Sequence, residues 1–258
     1  MSAPPPAVER ATGLLDPEAR ERGRMASGGW LDLVGASEPE SPGPLQDLML
    51  TGIVPRIYER WWRPALGRAM KGLLGPSMAD ERRIARLLLS LSPGDGVLDV
   101  ACGTGNFSRD FARVVGAEGL VVGIDVSETM LGRAVADTRA AGLEQVAFVR
   151  GDAQGLPFRG RSFDAVCCFA AFHLFADPMR ALDRMTEVLT PGGRIAIFTS
   201  ARGRSLPVRT VESLLTARSG AVMFDQHEVV DALEQRGYVD VRQRVAGVTQ
   251  FVGGRLPR

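Results

Sequence analysis

The chain has 258 residues, of which 45% are hydrophobic and 24% are charged, and its 31 basic side chains nearly balance 30 acidic ones. This composition provides apolar material for one sizeable folded domain with appendages, which excludes a globally disordered chain. A net charge of +1 provides no overall basic field, so we expect no nucleic-acid partner.

The cysteines and the apolar runs bear on the compartment. Cys102, Cys167 and Cys168 follow neither a metal-ligand spacing nor a disulfide pattern, which favours a reducing compartment and predicts no metal site. No stretch approaches the roughly 18 uninterrupted apolar residues of a transmembrane helix, and the first residues lack the apolar core of a signal peptide. We therefore expect a cytoplasmic protein without stable membrane insertion.

The first 76 residues divide into two segments. Residues 1–45 are rich in Pro, Glu, Arg, Ser and Gly, which predicts a flexible arm, although the apolar island Trp30–Val34 is able to dock on the main body. Residues 46–76 have apolar positions at helical spacing and predict a helical cap. Aromatic side chains in this cap either bury it against the body or contact a substrate. They are Tyr58, Trp61 and Trp62.

From residue 77 onward, helical and strand patterns alternate. Ser77, with Asp80 three residues later, resembles a capping box and begins a predicted helix. Short apolar runs predict strands at Val97–Ala101, Leu120–Ile124, Val146–Val149, Ala165–Phe169 and Arg194–Phe198. The helical patterns between them are Phe107–Val115, Glu128–Ala141 and Pro178–Leu189. Near-continuous apolar strands that alternate with helices indicate a parallel sheet covered on both faces.

The C-terminal part departs from this alternation. A helix is predicted at Asp225–Arg236, and the strands Val239–Val245 and Val248–Val252 are joined by a turn too short for a parallel crossover. The sequence therefore predicts one α/β domain at residues 77–258, with a doubly wound sheet that ends in an antiparallel hairpin. Residues 200–224 predict a lid insertion within this domain.

The most informative segment is Val97–Phe107, in which a strand leads through Gly103 and Gly105 into a helix. Glycines permit positive φ and the close approach of a ligand, and the start of a helix offers free N–H groups. Asp125, at the end of the next strand, is placed to accept hydrogen bonds from ribose hydroxyls. Asp152, after the third strand, is placed to accept from an exocyclic amine. Alternatively, the glycines form an ordinary tight turn, and the two acids are helix caps or solvated loop residues.

Five motifs follow one another along this domain. They are Leu98–Gly105, Gly123–Leu131, Gly151–Phe158, Ser162–Val166 and Leu189–Arg194. In order and spacing they resemble the class I S-adenosylmethionine-dependent methyltransferases, in the branch that holds the ubiquinone and menaquinone methyltransferases. The resemblance implies a Rossmann-like, mostly parallel sheet of seven strands with an antiparallel C-terminal hairpin and an N-terminal helical cap. It also implies S-adenosylmethionine as the cofactor and methyl transfer as the activity.

The resemblance also assigns parts of the cofactor to individual positions. The methionine end would be lined by Asp99, Ala101, Gly103 and Gly105. The ribose diol would be bound by Asp125. The adenine would be contacted by Val126, Met130, Asp152 and Ala153. The methyl sulfonium would be faced by Phe169 and Ala170.

The methyl acceptor is less well specified. His173, just after the fourth strand, is placed where a general base would take a proton from a phenol, alcohol or enol, and alternatively serves only for packing. The tetrad Phe169–Phe172 differs from the Asn/Asp-Pro-Pro-aromatic pattern of amide and exocyclic-amine methyltransferases. We therefore expect methyl transfer to an oxygen or carbon of a hydrophobic small molecule, such as a quinone, a lipid or a secondary metabolite.

Three alternatives remain open on the sequence. A protein of this fold that catalyses a non-methylating step, such as cyclisation, would have the same motifs. A binding protein with a vestigial cofactor site would have them too. A nicotinamide dehydrogenase is disfavoured, because it would have Gly or Ala in place of Ser108 and an apolar residue in place of Asp99.

Overall fold

A computed structural model describes residues 5–35, 75–203 and 221–258. Within these ranges the chain forms seven α-helices and nine β-strands. In chain order they are α1 (Pro6–Leu14), α2 (Pro17–Arg22), β1 (Arg24–Met25), β2 (Leu31–Asp32), α3 (Met78–Leu89), β3 (Gly96–Val100), α4 (Asn106–Val115), β4 (Leu120–Asp125), α5 (Glu128–Ala140), β5 (Val146–Arg150), β6 (Phe163–Phe169), α6 (Pro178–Glu187), β7 (Leu189–Ser200), α7 (Glu228–Gln235), β8 (Val239–Ala246) and β9 (Thr249–Arg255). Single 3₁₀ turns follow β5 at Ala153–Gly155 and β6 at Phe172–Leu174.

All the described strands join one sheet in the order β1-β2-β5-β4-β3-β6-β7-β9-β8. Neighbouring strands from β2 to β7 are parallel, whereas β1 and the β8–β9 hairpin pair in antiparallel fashion. The predicted mostly parallel, doubly wound α/β fold with an antiparallel C-terminal hairpin is therefore confirmed. The strand order reverses between β3 and β6, and the carboxyl ends of strands beside such a reversal are where ligands bind in this architecture.

The central strands are buried because helices cover both faces of the sheet. All five residues of β5 are buried, as expected for a parallel strand between two helical layers. The adjacent Cys167 and Cys168 of β6 are fully buried and belong to separate core clusters. These two thiols are therefore part of the strand core.

Residues 5–35 are not the flexible arm that their composition predicts. On one side of α1, Ala7, Val8 and Ala11 are buried, and the helix packs against β4 and β5. Farther along, β2 adds to the outer edge of β5 and β1 adds to β2, so the described part of the chain contributes nine strands to the sheet instead of the predicted seven. The physical reason is that small apolar residues at helical spacing form a buried face, while the prolines only begin the two helices.

Most element boundaries differ from the predictions by a few residues, and two of the differences concern helices. The helix predicted to end at Leu189 ends at Glu187, because Leu189 pairs with Phe163 and begins β7. The last helix begins at Glu228 instead of Asp225, whose N–H donates to the Glu228 side chain at 3.0 Å. At the start of α3, by contrast, the predicted capping box is present.

Two predicted segments lie wholly or mostly outside the described residues. Of the predicted helical cap at 46–76, only residues 75 and 76 are described. Its aromatic residues Tyr58, Trp61 and Trp62 lie outside the described residues. Of the predicted lid at 200–224, residues 204–220 lie outside the described residues. Among the helices that are described, none is both long and apolar enough to span a bilayer.

Candidate cofactor site and active site

Four loops at the carboxyl ends of β3, β4, β5 and β6 form the candidate site. They are residues 101–105, 125–127, 151–153 and 170–173. These strands are neighbours and parallel, so their loops share one edge of the sheet. Two backbone hydrogen bonds join the loops: the Cys102 N–H donates to Ile124 O at 3.0 Å, and the Gly151 N–H donates to Asp125 O at 3.1 Å. The structure thus brings the predicted cofactor residues of all four loops together.

The two glycines of the β3–α4 loop have different structural roles. Both have a positive φ, 54° at Gly103 and 71° at Gly105. A Cβ at Gly105 would lie 3.0 Å from Phe148 and 3.2 Å from Ala134, so this glycine allows the loop to pack on the sheet. A Cβ at Gly103 would meet no atom of the described residues within 4 Å, so the main chain there borders space that this part of the chain leaves open. Gly103 is therefore the position where a ligand is able to approach the backbone closely.

Asp125 ties the glycine loop to the start of α5. Its Oδ2 accepts from the Gly103 N–H at 2.8 Å, and its Oδ1 accepts from the Ser127 N–H at 2.9 Å. Burial raises the pKa of Asp125, and these backbone hydrogen bonds oppose the rise. The helix cap is Ser127, whose Oγ accepts from the Met130 N–H at 3.4 Å. Asp125 is thus not a cap, and since a carboxylate has about four acceptor sites, it keeps acceptor capacity beyond its backbone hydrogen bonds.

Asp99 lies beneath the glycine loop. It pairs in register with Gly123 inside the sheet and is only 2% exposed. The Ser108 Oγ donates to its Oδ2 at 2.5 Å, and Ser108 is itself fully buried. This contact is not visible in the sequence, because the partners are nine positions apart and belong to different elements. Ser108 orients the carboxylate that the resemblance assigns to the methionine end of the cofactor.

Asp152 lies exposed on the loop after β5. Its Oδ1 accepts from the Gln154 N–H at 3.0 Å, so it caps the 3₁₀ turn, as the alternative interpretation expects. A carboxylate that caps one N–H retains further acceptor capacity. The residues expected to flank an adenine are less exposed: Met130 and Ala153 are nearly buried, and Val126 is half-buried.

Phe169 and Ala170 lie at the end of β6. The Phe169 ring is nearly buried and packs against Phe107, Phe198 and Phe251, with ring centroids 4.8, 5.9 and 6.0 Å away. Ala170 is half-buried and has a φ of 62°, and its N–H donates to Phe198 O at 2.8 Å. Phe169 therefore contributes an apolar base to the site, and Ala170 contributes the more accessible surface.

His173 lies in the 3₁₀ turn after β6. Its Nδ1 is buried and has no hydrogen-bond partner among the described residues. Burial lowers the pKa of the imidazole from 6.5 to about 4, so the ring is neutral at neutral pH and keeps an unprotonated nitrogen. The Thr199 Oγ1, on the neighbouring strand β7, is likewise buried and without a partner in the described part of the chain.

The three thiols do not form a second reactive centre. Burial raises the pKa of Cys102, Cys167 and Cys168, and neighbouring carboxylates add to the rise. A thiol that stays protonated is a poor nucleophile and a poor metal ligand. Within the ranges that the structure describes, no three His, Cys, Asp or Glu side chains form a group able to hold a metal ion.

These features define a class of protein. A doubly wound sheet whose glycine loop borders open space, and whose next strand ends in a carboxylate with acceptor capacity, is typical of proteins that bind an adenosine-containing cofactor. The open space at Gly103 and the remaining acceptor capacity of Asp125 fit the adenosyl part of S-adenosylmethionine.

Comparisons with known proteins agree with this class. Residues 97–193 match the family described as methyltransferase domain. A demethylmenaquinone methyltransferase from Bacillus cytotoxicus is 34% identical over 130 residues, which cover 50% of this chain and 55% of the relative. The chain thus spans about half the length of the curated relatives it matches.

Solved structures share the fold. A SAM-dependent methyltransferase from Aquifex aeolicus superposes with a TM-score of 0.53 at 24% identity, over 67% of this chain and 93% of that one. The [4+2]-cyclase SpnF superposes with a TM-score of 0.62 at 19% identity, over 86% of this chain and 98% of that one. Residues 97–193 thus match a methyltransferase domain, and the described part of the chain has the fold of these solved structures.

Proposed function

We propose that the protein transfers a methyl group from S-adenosylmethionine to an oxygen or carbon atom of a hydrophobic small molecule of the quinone or quinol type. The observation that carries this proposal is the 2.8 Å contact between Asp125 and the Gly103 N–H beside open space. One carboxylate holds the glycine loop and keeps acceptor capacity for a ribose diol. The demethylmenaquinone methyltransferases among the relatives support a quinone as the acceptor class.

In the proposed complex, the chain holds the cofactor through four groups of residues. The ribose diol is held by Asp125. The adenine is flanked by Val126 and Met130 and met at its edge by Asp152 and Ala153. The methionine end is lined by Asp99, Ala101, Gly103 and Gly105. The methyl sulfonium would be faced by Phe169 and Ala170.

When bound, S-adenosylmethionine supplies a methyl group on a positively charged sulfur. The protein has to align the acceptor atom with the methyl carbon and the sulfur, and to keep water out. The bond from acceptor to carbon forms as the bond from carbon to sulfur breaks. The products are the methylated acceptor, S-adenosylhomocysteine and one proton.

We assign that proton to His173. Its imidazole is neutral at neutral pH because burial lowers its pKa to about 4. An imidazole with so low a pKa is a weak base, so it accepts the proton only as the hydroxyl reacts, and it passes the proton on readily. Tyr58, Trp61 and Trp62, which the structure does not describe, remain the residues proposed to contact the apolar part of the acceptor.

The cofactor half of the proposal is tested by calorimetry with S-adenosylhomocysteine and the purified full-length chain. We expect one binding site per chain in the wild type and much weaker binding in Asp125→Asn. The absence of binding to a folded wild-type protein would refute the proposed function.

The acceptor half is tested by mass spectrometry of the product. Demethylmenaquinone and its quinol are incubated with the protein and S-adenosylmethionine, and the expected product gains the mass of one CH₂ unit. A labelled methyl group on the cofactor has to appear in that product. If the acceptor is consumed with no change in mass, the protein catalyses a rearrangement such as a cyclisation instead.

A further inference from the structure

Arg150 is a nearly buried cation at the end of β5, and it has four partners. Its side chain is only 9% exposed. Its Nη1 contacts Glu128 Oε1 at 2.7 Å and Asp32 Oδ2 at 3.3 Å. It also donates to two carbonyl oxygens, that of Gly35 at 2.9 Å from Nη1 and that of Val126 at 3.2 Å from Nε.

These partners belong to two segments that are otherwise distant in sequence. Val126 and Glu128 lie one and three positions after Asp125, whose carboxylate holds Gly103. We call residues 125–128, which end at the first residue of α5, the ribose loop. Asp32 and Gly35 belong to residues 24–35, which we call the edge segment. The edge segment contributes β1 and β2 to the sheet. Arg150 is the shared partner of the two segments.

The chemistry of arginine explains why this residue occupies the junction. A buried cation is costly unless it is fully paired, and a planar guanidinium is able to donate to several acceptors at once. Two carboxylates and two carbonyls satisfy Arg150 only when both segments are in place. If the edge segment moved away, Asp32 and Gly35 would leave, and the guanidinium would have to rearrange against the ribose loop.

A second contact supports the same connection. Trp30 of the edge segment is nearly buried in the core cluster that contains Leu131, Ala134 and Val135 of α5. A Cβ on Gly132 of that helix would lie 3.8 Å from the Trp30 ring. The edge segment thus packs on α5, whose first residue, Glu128, is the last residue of the ribose loop.

We propose that Arg150 is a positioning residue that couples the docking of the edge segment to the ribose loop, so that loss of its contact with Asp32 weakens cofactor binding. Because coupling between two equilibria is reciprocal, a bound cofactor also holds the edge segment in place. The inference rests on the proposed function, since it concerns the site proposed to hold the cofactor.

The substitution Asp32→Asn tests the coupling with little change of shape. The Asp32 Oδ1 accepts from the N–H groups of Val34 at 2.9 Å and Gly35 at 3.0 Å, and an Asn oxygen is able to keep both bonds. The NH₂ group of Asn then replaces the Asp32 Oδ2 that Arg150 contacts, so Arg150 loses an acceptor and faces a second donor. We expect the dissociation constant of S-adenosylhomocysteine, measured by calorimetry, to rise by about fivefold or more, a typical size for coupling between sites.

The matched control is Asp95→Asn. Asp95 and Arg194 form a comparable half-buried ion pair with an N–O distance of 2.6 Å. Asp95 precedes the first residue of β3, so it lies at the amino end of this strand, whereas the candidate site lies at the carboxyl end. This variant is expected to lose stability while its affinity for S-adenosylhomocysteine stays within twofold of the wild type. Equal affinities for Asp32→Asn and the wild type would overturn the inference.

Limited trypsinolysis measures the reciprocal effect. The bonds after Arg22 and Arg24 flank the start of the edge segment, and cleavage there requires local opening. We expect S-adenosylhomocysteine to slow this cleavage in the wild type, and to slow it by a smaller factor in Asp32→Asn. If the wild type binds the ligand but its cleavage rate at these bonds is unchanged, the coupling is absent while the proposed function stands. If the wild type does not bind the ligand at all, the proposed function and this inference both fail.

Discussion

Replacing Gly103 by alanine tests whether the open space at the glycine loop is the cofactor site. The φ of 54° at this position is unfavourable for any side chain, but an added Cβ would meet no atom of the described chain within 4 Å. Gly103 is bound to Asp125, just before the start of α5, whereas Gly142 follows the end of α5. Gly142 has the same two properties, with a φ of 65° and no atom of the described chain within 4 Å of an added Cβ. The helix between them has 13 residues and is about 20 Å long, which separates Gly142 from the site.

The two substitutions should therefore cost the same stability and differ only in binding. Alanine in the left-handed backbone conformation destabilises the folded state by about 1–2 kcal/mol. Alanine also lowers the conformational entropy of the unfolded chain, which offsets about half of this loss. We expect both variants to lose about 1 kcal/mol, which lowers the Tm of a chain of this size by about 2–4 °C. At Gly103 alone, the methyl group also occupies ligand space, and overpacking by one methyl costs about 1–3 kcal/mol.

Calorimetry and thermal unfolding separate the two effects. The binding cost corresponds to a rise of about 5- to 150-fold in the dissociation constant of S-adenosylhomocysteine for Gly103→Ala. Gly142→Ala should bind as the wild type does. If both variants bind with wild-type affinity, the open space at Gly103 is not the ligand site, and the assignment of the glycine loop is incorrect.

Three further predictions concern the carboxylate, the imidazole and the thiols. Asp125→Asn should weaken S-adenosylhomocysteine binding by about 10- to 100-fold, since it removes charge-assisted acceptors. The raised pKa of Asp125 favours early protonation of this carboxylate, so the wild type should lose affinity on acidification and the variant should not. A pH-dependent loss of affinity that persists in the variant would contradict this. His173→Gln should reduce turnover without changing cofactor affinity. The pKa of His173 is near 6.5 in the unfolded state and about 4 in the folded state, so the unfolded state takes up a proton first as the pH falls. The wild type should therefore lose up to about 3 kcal/mol of stability relative to the variant between pH 6.5 and 4. Denaturation midpoints of the two proteins that change in parallel across that range would exclude this. Iodoacetamide at pH 8 should leave Cys167 and Cys168 unmodified in the native protein, and a modified peptide at either position would show that β6 opens.

The sequence predicts the central fold well because its signals are local. Each strand from β3 to β7 is an apolar run that a turn or a helix cap separates from the next helix. The predicted boundaries therefore differ from the structure by few residues over most of the domain. The boundary at Leu189 fails for a non-local reason, since its pairing with Phe163 decides that it is a strand residue.

The apolar island Trp30–Val34 is recognisable in the sequence as a segment able to dock, and Trp30 and Leu31 are buried, but α1 is not predictable in the same way. Composition indicates disorder for residues 1–45, but the buried face of α1 consists of small residues such as Ala7 and Ala11. Alanine contributes little to an apolar pattern read along the chain. Its burial becomes favourable only when β4 and β5 already offer a surface, and that surface is formed by residues more than 100 positions away.

Within the candidate site, the sequence identifies the backbone-shaping and charged residues but not their partners. Gly103 and Asp125 follow from their places in the motifs, whereas the bond between them depends on the register of β3 against β4. The contact of Ser108 with Asp99 depends on how α4 crosses the sheet. Such contacts are set by tertiary packing, for which one sequence provides no direct signal.

The position of the edge segment argues that it does more than cover the sheet. Without it, β5 would be an edge strand with unpaired backbone groups, which proteins normally protect. A segment with only that role would pair along the whole strand. β2 instead pairs only with Val149 and Arg150, at the carboxyl end of β5, where the ribose loop lies. Protection of the edge and positioning of the ribose loop thus depend on the same few residues, so a substitution that frees Asp32 from Arg150 should affect ligand binding before it affects the fold.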